Sequence, residues 1–167
     1  MIKDTIVQAI NEQITREMYS SNLYLSMAGY FQSVNLSGFA HWMRIQAQEE
    51  MLHANKFFDY LLARGGKTKI SAIDEPPFNW DSPLDVFEAS YKHEQFVTEC
   101  IGKIADLTMK ESDHATFSML QWFITEQVEE EANVSEIVEK LRLIADFKGG
   151  LIMMDAELKQ RVLTPIV

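Results

Sequence analysis

Apolar residues recur at steps of three and four along four long stretches of this chain, the period of helices that bury one face. The stretches cover residues 5 to about 32, 39 to about 64, 83 to about 110 and 114 to about 148. A shorter amphipathic stretch follows, from 151 to about 163. The punctuation agrees with this division. Ser37 stands where the second helix needs an N-cap, and Gly65-Gly66 stops it. Ser82-Pro83-Leu84-Asp85 supplies an N-cap serine, a first-position proline and a first-turn acid. Ser112 or Asp113 caps the fourth helix, and Gly149-Gly150 is expected to close it. No strand pattern, internal repeat or low-complexity segment competes.

The connections set the topology. Short turns make the first helix antiparallel to the second, and the third antiparallel to the fourth. The connection over about 65–82, with Pro76 and Pro77 in tandem, is longer than most loops in a compact domain. Extended, its roughly 17 free residues reach about 55 Å. A helix of about 26 residues is only about 39 Å long. The connection can therefore run the length of the bundle and leave the second and third helices parallel. The expected fold is all-α: a four-helix bundle over about 5–148 with one long crossover, plus a short C-terminal helix. It is read as one domain over 1–167.

Each stripe is interrupted near its middle by a residue that does not belong on a buried face. Ile10, Glu17, Tyr24 and Phe31 share a face of the first helix. The second carries Phe39, Met43, Gln46, Glu50, His53, Phe57 and Tyr60; the third Phe87, Tyr91, Glu94, Ile101 and Ile104. In the fourth, the row Leu120, Phe123, Val134, Ile137, Leu141 passes through Gln127 and Glu130. The topology brings the four midpoints to one level, so Glu17, Glu50, His53, Glu94, Gln127 and Glu130 should converge. No Lys or Arg lies on the same stripes, and an uncompensated buried charge costs several kcal/mol. Multivalent cations are the natural remedy.

The donors narrow the cation. Carboxylates with one imidazole and no thiolate suit iron or manganese, with zinc as a competitor. Four carboxylates exceed what one divalent ion needs, so two ions sharing Glu50 are expected. Symmetric di-iron sites carry Glu-x-x-His twice. Here the second helix has it, Glu50 to His53, but the fourth reads Gln127-Val128-Glu129-Glu130. Two unequal metal positions follow, one held more weakly. Glu49, Glu126 and Glu129 flank this centre as a candidate third, more exposed cation site.

Composition excludes several alternatives. With 167 residues, 47% hydrophobic, the chain can bury a sizeable core. A formal net charge of −10 argues against nucleic acid and anionic membrane surfaces, and suits handling of cations. The single Cys100 rules out an intrachain disulfide and reads as a small core residue. The first residues lack a secretory pattern and no run approaches a membrane span, so a soluble, cytoplasmic protein is expected.

Four stretches, NEQITREMYSSNLY (11–24), AQEEMLH (47–53), YKHEQ (91–95) and DHATFSMLQWFITEQVEEE (113–131), resemble the bacterial non-heme ferritins, and the likeness spans essentially the whole chain. The resemblance implies a shell of twenty-four subunits that oxidises Fe(II) with dioxygen or hydrogen peroxide and stores ferric mineral, the fifth helix packing about a fourfold axis. By position, Glu17, Glu50 and His53 would hold a first iron. Glu50, Glu94 and Glu130 would hold a second, with Glu50 bridging. Gln127 would hydrogen-bond oxygen species between the metals. Glu49, Glu126, Glu129 and shared Glu130 match the family's third iron site, and Tyr24 matches the tyrosine beside the centre, a candidate electron donor.

Met51 falls where heme-containing relatives place an axial methionine, but those relatives repeat Glu-x-x-His on the fourth helix. No heme is expected here. Animal ferritins line their threefold pores with acids where this chain has Phe117 and Leu120, which makes a path near Glu49, Glu126 and Glu129 an equal candidate for iron entry. Trp122 reads as packing, and His41, His93 and His114 as surface or capping residues. Leu151 to Met154 are too apolar for a free tail and suggest an intersubunit contact. The rival readings are a discrete diiron or dimanganese oxidoreductase without a storage cavity, and an inert bundle holding zinc or calcium.

Overall fold

The computed structural model describes residues 2–144 and 147–164. It contains α1 (Asp4–Ser33), α2 (Ser37–Ala63), α3 (Pro83–Lys110), α4 (His114–Ile144) and α5 (Lys148–Leu158), with no strand among the described residues. The fold is the expected four-helix bundle with a crossover and a short fifth helix.

The ends are where sequence and structure differ. Ser82 caps α3 as expected, its Oγ accepting from the Asp85 amide at 3.1 Å. At the start of α4, Asp113 is the cap: its Oδ1 accepts from the Thr116 amide at 3.1 Å. Ser112 instead supplies the left-handed turn before it, with φ 57°. Ser37 does not cap α2; it is the first helical residue and its side chain makes no cap bond. Asp155 of α5 does that work, its Oδ1 accepting from the amides of Gly38 and Phe39 at 2.7 and 3.1 Å.

Gly149-Gly150 does not end a helix either, but lies within the first turn of α5. A Cβ on Gly150 would come within 2.8 Å of Ile144 Cγ2, so this glycine permits close approach to the end of α4. The expected end of α4 near 148 crosses residues 145–146, which lie outside the described residues.

Contacts between α1 and α2 run antiparallel: Glu17 lies level with Glu50, and Ser21 Oγ donates to the Ala47 carbonyl at 2.7 Å. The same holds for α3 and α4, where Gln127 reaches Glu94 and Arg142 reaches Glu88. The crossover climbs along α1. Asn11 grips its start, Nδ2 donating to the Lys67 carbonyl at 2.9 Å and Oδ1 accepting from the Lys69 amide at 2.6 Å. Ser26 grips its far end, donating to the Pro77 carbonyl at 2.7 Å, and Trp80 packs edge-on against Tyr30.

The apolar interior is not continuous. One cluster, around Tyr24, Phe31, Phe39, Phe87 and Val134, fills the half of the bundle nearer α5. A second, around Ile6, Ile10, Phe57, Ile101 and Phe123, fills the other half, with Phe57 stacked on Phe123 at 3.9 Å. Between them lies a buried polar layer. Leu120 is fully enclosed in the second cluster, so within the chain it faces the core and not a pore. Cys100 is buried as expected. On α5, Met154 and Leu158 pack into the chain's own core, while Ile152 and Met153 are exposed.

Candidate metal centre

The polar layer is made by the residues that interrupt the apolar stripes. Helical spacing sends Glu17 inward from α1, Glu50 and His53 from α2, Glu94 from α3, and Gln127 and Glu130 from α4. All six are at least 97% buried. Glu17, Glu50 and His53 present ligand atoms within 4.8 Å of one another, the set expected for a first metal. His53 Nδ1 lies 3.4 Å from Glu50 Oε2.

Two amides hold this layer in place. Gln13 Nε2 donates to Glu17 Oε1 at 2.7 Å. Gln46 Nε2 donates both to Glu50 Oε1 and to Glu130 Oε2, each at 2.9 Å. Each glutamine precedes a glutamate by four residues on the same helix face, a spacing visible in the sequence. Across the layer, the Tyr24 hydroxyl donates to Glu94 Oε1. Gln127 Nε2 reaches Glu94 Oε2 at 3.3 Å and Thr98 Oγ1 at 3.2 Å.

Glu50, Glu94 and Glu130 surround the layer but do not converge as tightly as the first set. Glu94 is drawn toward Tyr24 and Gln127, and Glu130 toward Gln46. The second compact group is instead His53, Glu126 and Glu130, again with ligand atoms within 4.8 Å. His53 thus faces two ways, Nδ1 to Glu50 and Nε2 to Glu126 at 4.0 Å. Glu49, Glu126, Glu129 and Glu130 line one cavity of about 370 Å³ next to the layer. Within it Glu49 is ion-paired with Arg161, a residue that no sequence pattern singles out.

The electrostatics are those of a site short of positive charge. Burial and the neighbouring Glu50 charge push Glu17 up to about 8. Burial and Glu50 do the same to Glu130, also to about 8. Glu94 is raised well above the usual carboxylate range by burial, then by Glu50 and Glu130. Burial alone would lower His53, but its contact with Glu50 and the charges of Glu17 and Glu130 raise it to about 10. Glu50 goes the other way: burial opposes its charge, but the His53 and Gln46 bonds hold it below its usual range. Glu17 Oε2 is enclosed and meets no hydrogen-bond partner among the described residues. A buried carboxylate oxygen without a donor is costly, and a cation satisfies it. The donor set fits divalent iron, with carboxylate oxygens and a single imidazole.

The other singled-out residues divide. Trp122 packs edge-on against His53 at 5.5 Å and carries the Lys56 ammonium over its ring at 4.4 Å, consistent with a packing role. Met51 is exposed. His114 is exposed at the first position of α4. His41 bonds the Arg161 carbonyl through Nε2 at 2.8 Å. His93 departs from the surface reading: the α1–α3 seam half-buries it, with Nε2 2.7 Å from Ser20 Oγ and its ring edge-on to Tyr24 at 6.1 Å. No helix among the described residues is long and apolar enough to cross a membrane.

Comparison with known proteins gives a consistent picture. The ferritin-like domain model matches residues 7–144. The bacterial non-heme ferritin of Bacteroides fragilis (strain 638R) is 47% identical over 161 residues, spanning 96% of this chain and 100% of that protein. The bacterial non-heme ferritin of Campylobacter jejuni is 38% identical over 98% of each chain. Among solved structures, an open pore ferritin from the archaeon Archaeoglobus fulgidus superposes with a TM-score of 0.97 at 51% identity, covering 97% of this chain and all of that one.

Proposed function

Because this chain belongs to the ferritin family, we propose that it is an iron-storage protein that oxidises Fe(II) at the buried polar layer and holds the ferric product inside an oligomeric shell. The observation that carries the reading is the Glu17–Glu50–His53 group: three buried donors with an unsatisfied carboxylate oxygen between two apolar half-cores. Iron is the substrate and the cargo.

The residues divide the work. Glu17, Glu50 and His53 take the first Fe(II). Glu50, Glu94 and Glu130 take the second, Glu50 spanning both. Loading displaces the protons that Glu17, Glu130 and His53 carry at neutral pH, so the layer exchanges protons for metal. Two Fe(II) ions then lose one electron each and reduce one dioxygen to the level of peroxide; hydrogen peroxide is an alternative oxidant. Gln127 would hydrogen-bond the oxidant, and Tyr24, bonded to Glu94, is a candidate electron donor for reduction beyond the peroxide level. Glu49, Glu126, Glu129 and Glu130 form the outer station through which iron passes. The missing second imidazole on α4 leaves one position weakly held, which favours release of Fe(III) over retention. Twenty-four copies would close the shell, as the resemblance implies, with exposed Ile152 and Met153 on α5 suited to contacts between them. A cytoplasmic location fits this role.

The test is capacity. Metal-free protein is given a large excess of Fe(II) in air, and iron per chain is measured in the high-mass chromatographic peak. Retention far beyond two or three ions per chain establishes storage. Retention that stops there identifies a discrete diiron protein instead.

A further inference from the structure

The outer cavity already contains a cation. Arg161, just beyond α5, directs its guanidinium into the cavity wall, where it ion-pairs with Glu49. The same group donates to Gln46 Oε1 at 2.7 Å and to the Trp42 carbonyl at 3.5 Å, and lies 4.0 Å over the Trp42 ring. Its own backbone carbonyl is bonded by His41, and its side chain is only 17% exposed. Arg161 is therefore held by Glu49, Gln46, Trp42 and His41, and the Glu49 carboxylate is already engaged by a cation.

We propose that Arg161 is a built-in competitor for metal at the outer cavity, and that it links this cavity to the inner layer through Gln46. The inference rests on the reading of Glu49, Glu126, Glu129 and Glu130 as a cation station. Glu49 cannot serve the guanidinium and a metal ion fully at once. A divalent ion in the cavity must displace Arg161 or bind without Glu49, and is repelled by the guanidinium in either case. Competition is reciprocal, so the factor by which Arg161 weakens the metal is the factor by which the metal loosens Arg161.

Gln46 extends the effect inward. Its amide has one oxygen and one nitrogen: the oxygen accepts from Arg161, and the nitrogen donates to Glu50 and Glu130. Arg161 thereby reinforces the orientation in which the amide nitrogen faces the inner carboxylates. When metal displaces it, Gln46 loses the partner that anchors its oxygen, and its hold on Glu50 and Glu130 loosens. Filling the outer cavity then loosens the inner ligands, a sequence suited to moving iron on. Arg161 is a positioning residue in this scheme and touches no reacting atom.

The test uses redox-inert Zn²⁺ titrated calorimetrically into metal-free, assembled, full-length protein. R161Q should bind Zn²⁺ at an outer class of sites about ten-fold more tightly than wild type. R161K keeps the charge and should resemble wild type. The gain should vanish when E126Q and E129Q are added to R161Q. In a W80F/W122F background, where Trp42 is the remaining indole, Zn²⁺ filling the outer class should change Trp42 emission as the guanidinium leaves its ring. Identical outer binding in wild type and R161Q with the inner class intact overturns the proposal, and so does a silent Trp42. Absence of the inner class from wild type overturns the metal-centre reading, and the proposal with it.

Discussion

Gln46 and Glu130 are joined across the bundle, the amide nitrogen of one 2.9 Å from the carboxylate of the other, and the same nitrogen reaches Glu50 at the same distance. One neutral side chain thus spaces two carboxylates that belong to different helices. Gln46→Leu keeps the volume but removes the donor. Fe(II) oxidation by stopped-flow absorbance should slow by about ten-fold, in the range seen when groups supporting metal ligands are lost. Helical circular dichroism should stay unchanged. An unaltered rate would show that the amide has no part in setting the ligands.

The buried acids make stability depend on pH in an unusual direction. Glu17 and Glu130 have native values of about 8 against an ordinary 4.5, so between those values the folded chain holds more protons than the unfolded one. Their contribution is present at acid pH and declines as pH rises through that window. His53, raised from 6.5 to about 10, declines in the same direction over its own window. Glu50, held below its usual range, opposes them only in acid, below about 4.5. The thermal midpoint of chelator-treated protein should therefore fall between about pH 6 and about pH 9. Added Zn²⁺ should raise that midpoint most at the alkaline end, where ligand protons are already gone. A metal-free midpoint that climbs across this range would contradict the ionisation pattern of the layer.

Inner and outer ligands should fail differently. Glu17→Ala and His53→Ala each remove a member of the compact first group and should abolish the fast phase of Fe(II) oxidation. Glu129→Ala alters only the exposed rim of the outer cavity. It should leave the fast phase intact while changing iron oxidised per oxygen consumed and the rate of later turnovers. Equal losses in all three variants would remove the basis for separate stations.

Gly38 and Asp155 predict a stability effect far from the metals. A Cβ on Gly38 would lie 1.6 Å from the Asp155 carbonyl oxygen. Gly38→Ala must push α5 away from α2 and should cost about 3 kcal/mol, at the upper end of overpacking effects. Asp155→Ala removes only the borrowed cap, for about 1 kcal/mol. Unfolding midpoints of the two variants should rank in that order, and the reverse ranking would count against the close contact.

How much of this was legible in the sequence follows from how local each feature is. Glu17, Glu50, His53, Glu94, Gln127 and Glu130 stood out because a helix's period fixes which residues share its buried face, and because the crossover's length fixes how the helices align. The supporting amides, Gln13 and Gln46, were within reach of the same logic. Spacing places them beside Glu17 and Glu50, but Gln46 also serves Glu130, 84 positions away. Asp155 and Arg161 were not legible. Each acts on α2 from more than a hundred residues downstream, through the way α5 folds back, and no periodicity encodes that. Ser37 is the instructive case. It carries a fitting side chain at a fitting place, yet Asp155 caps the helix because docking α5 brings a carboxylate onto the same amides.

The crossover has a practical corollary. It is fastened to α1 at Asn11 and Ser26, and the residues between these anchors, including exposed Asp74 and Glu75, carry no helix and no metal ligand. A foreign peptide spliced between Asp74 and Glu75 would hang from a strap secured at both ends. Its added length would be absorbed locally, without shifting the level at which the four helices align. The chain thus offers a graft site whose load is isolated from the ligands by the same two side chains that tie the connection down.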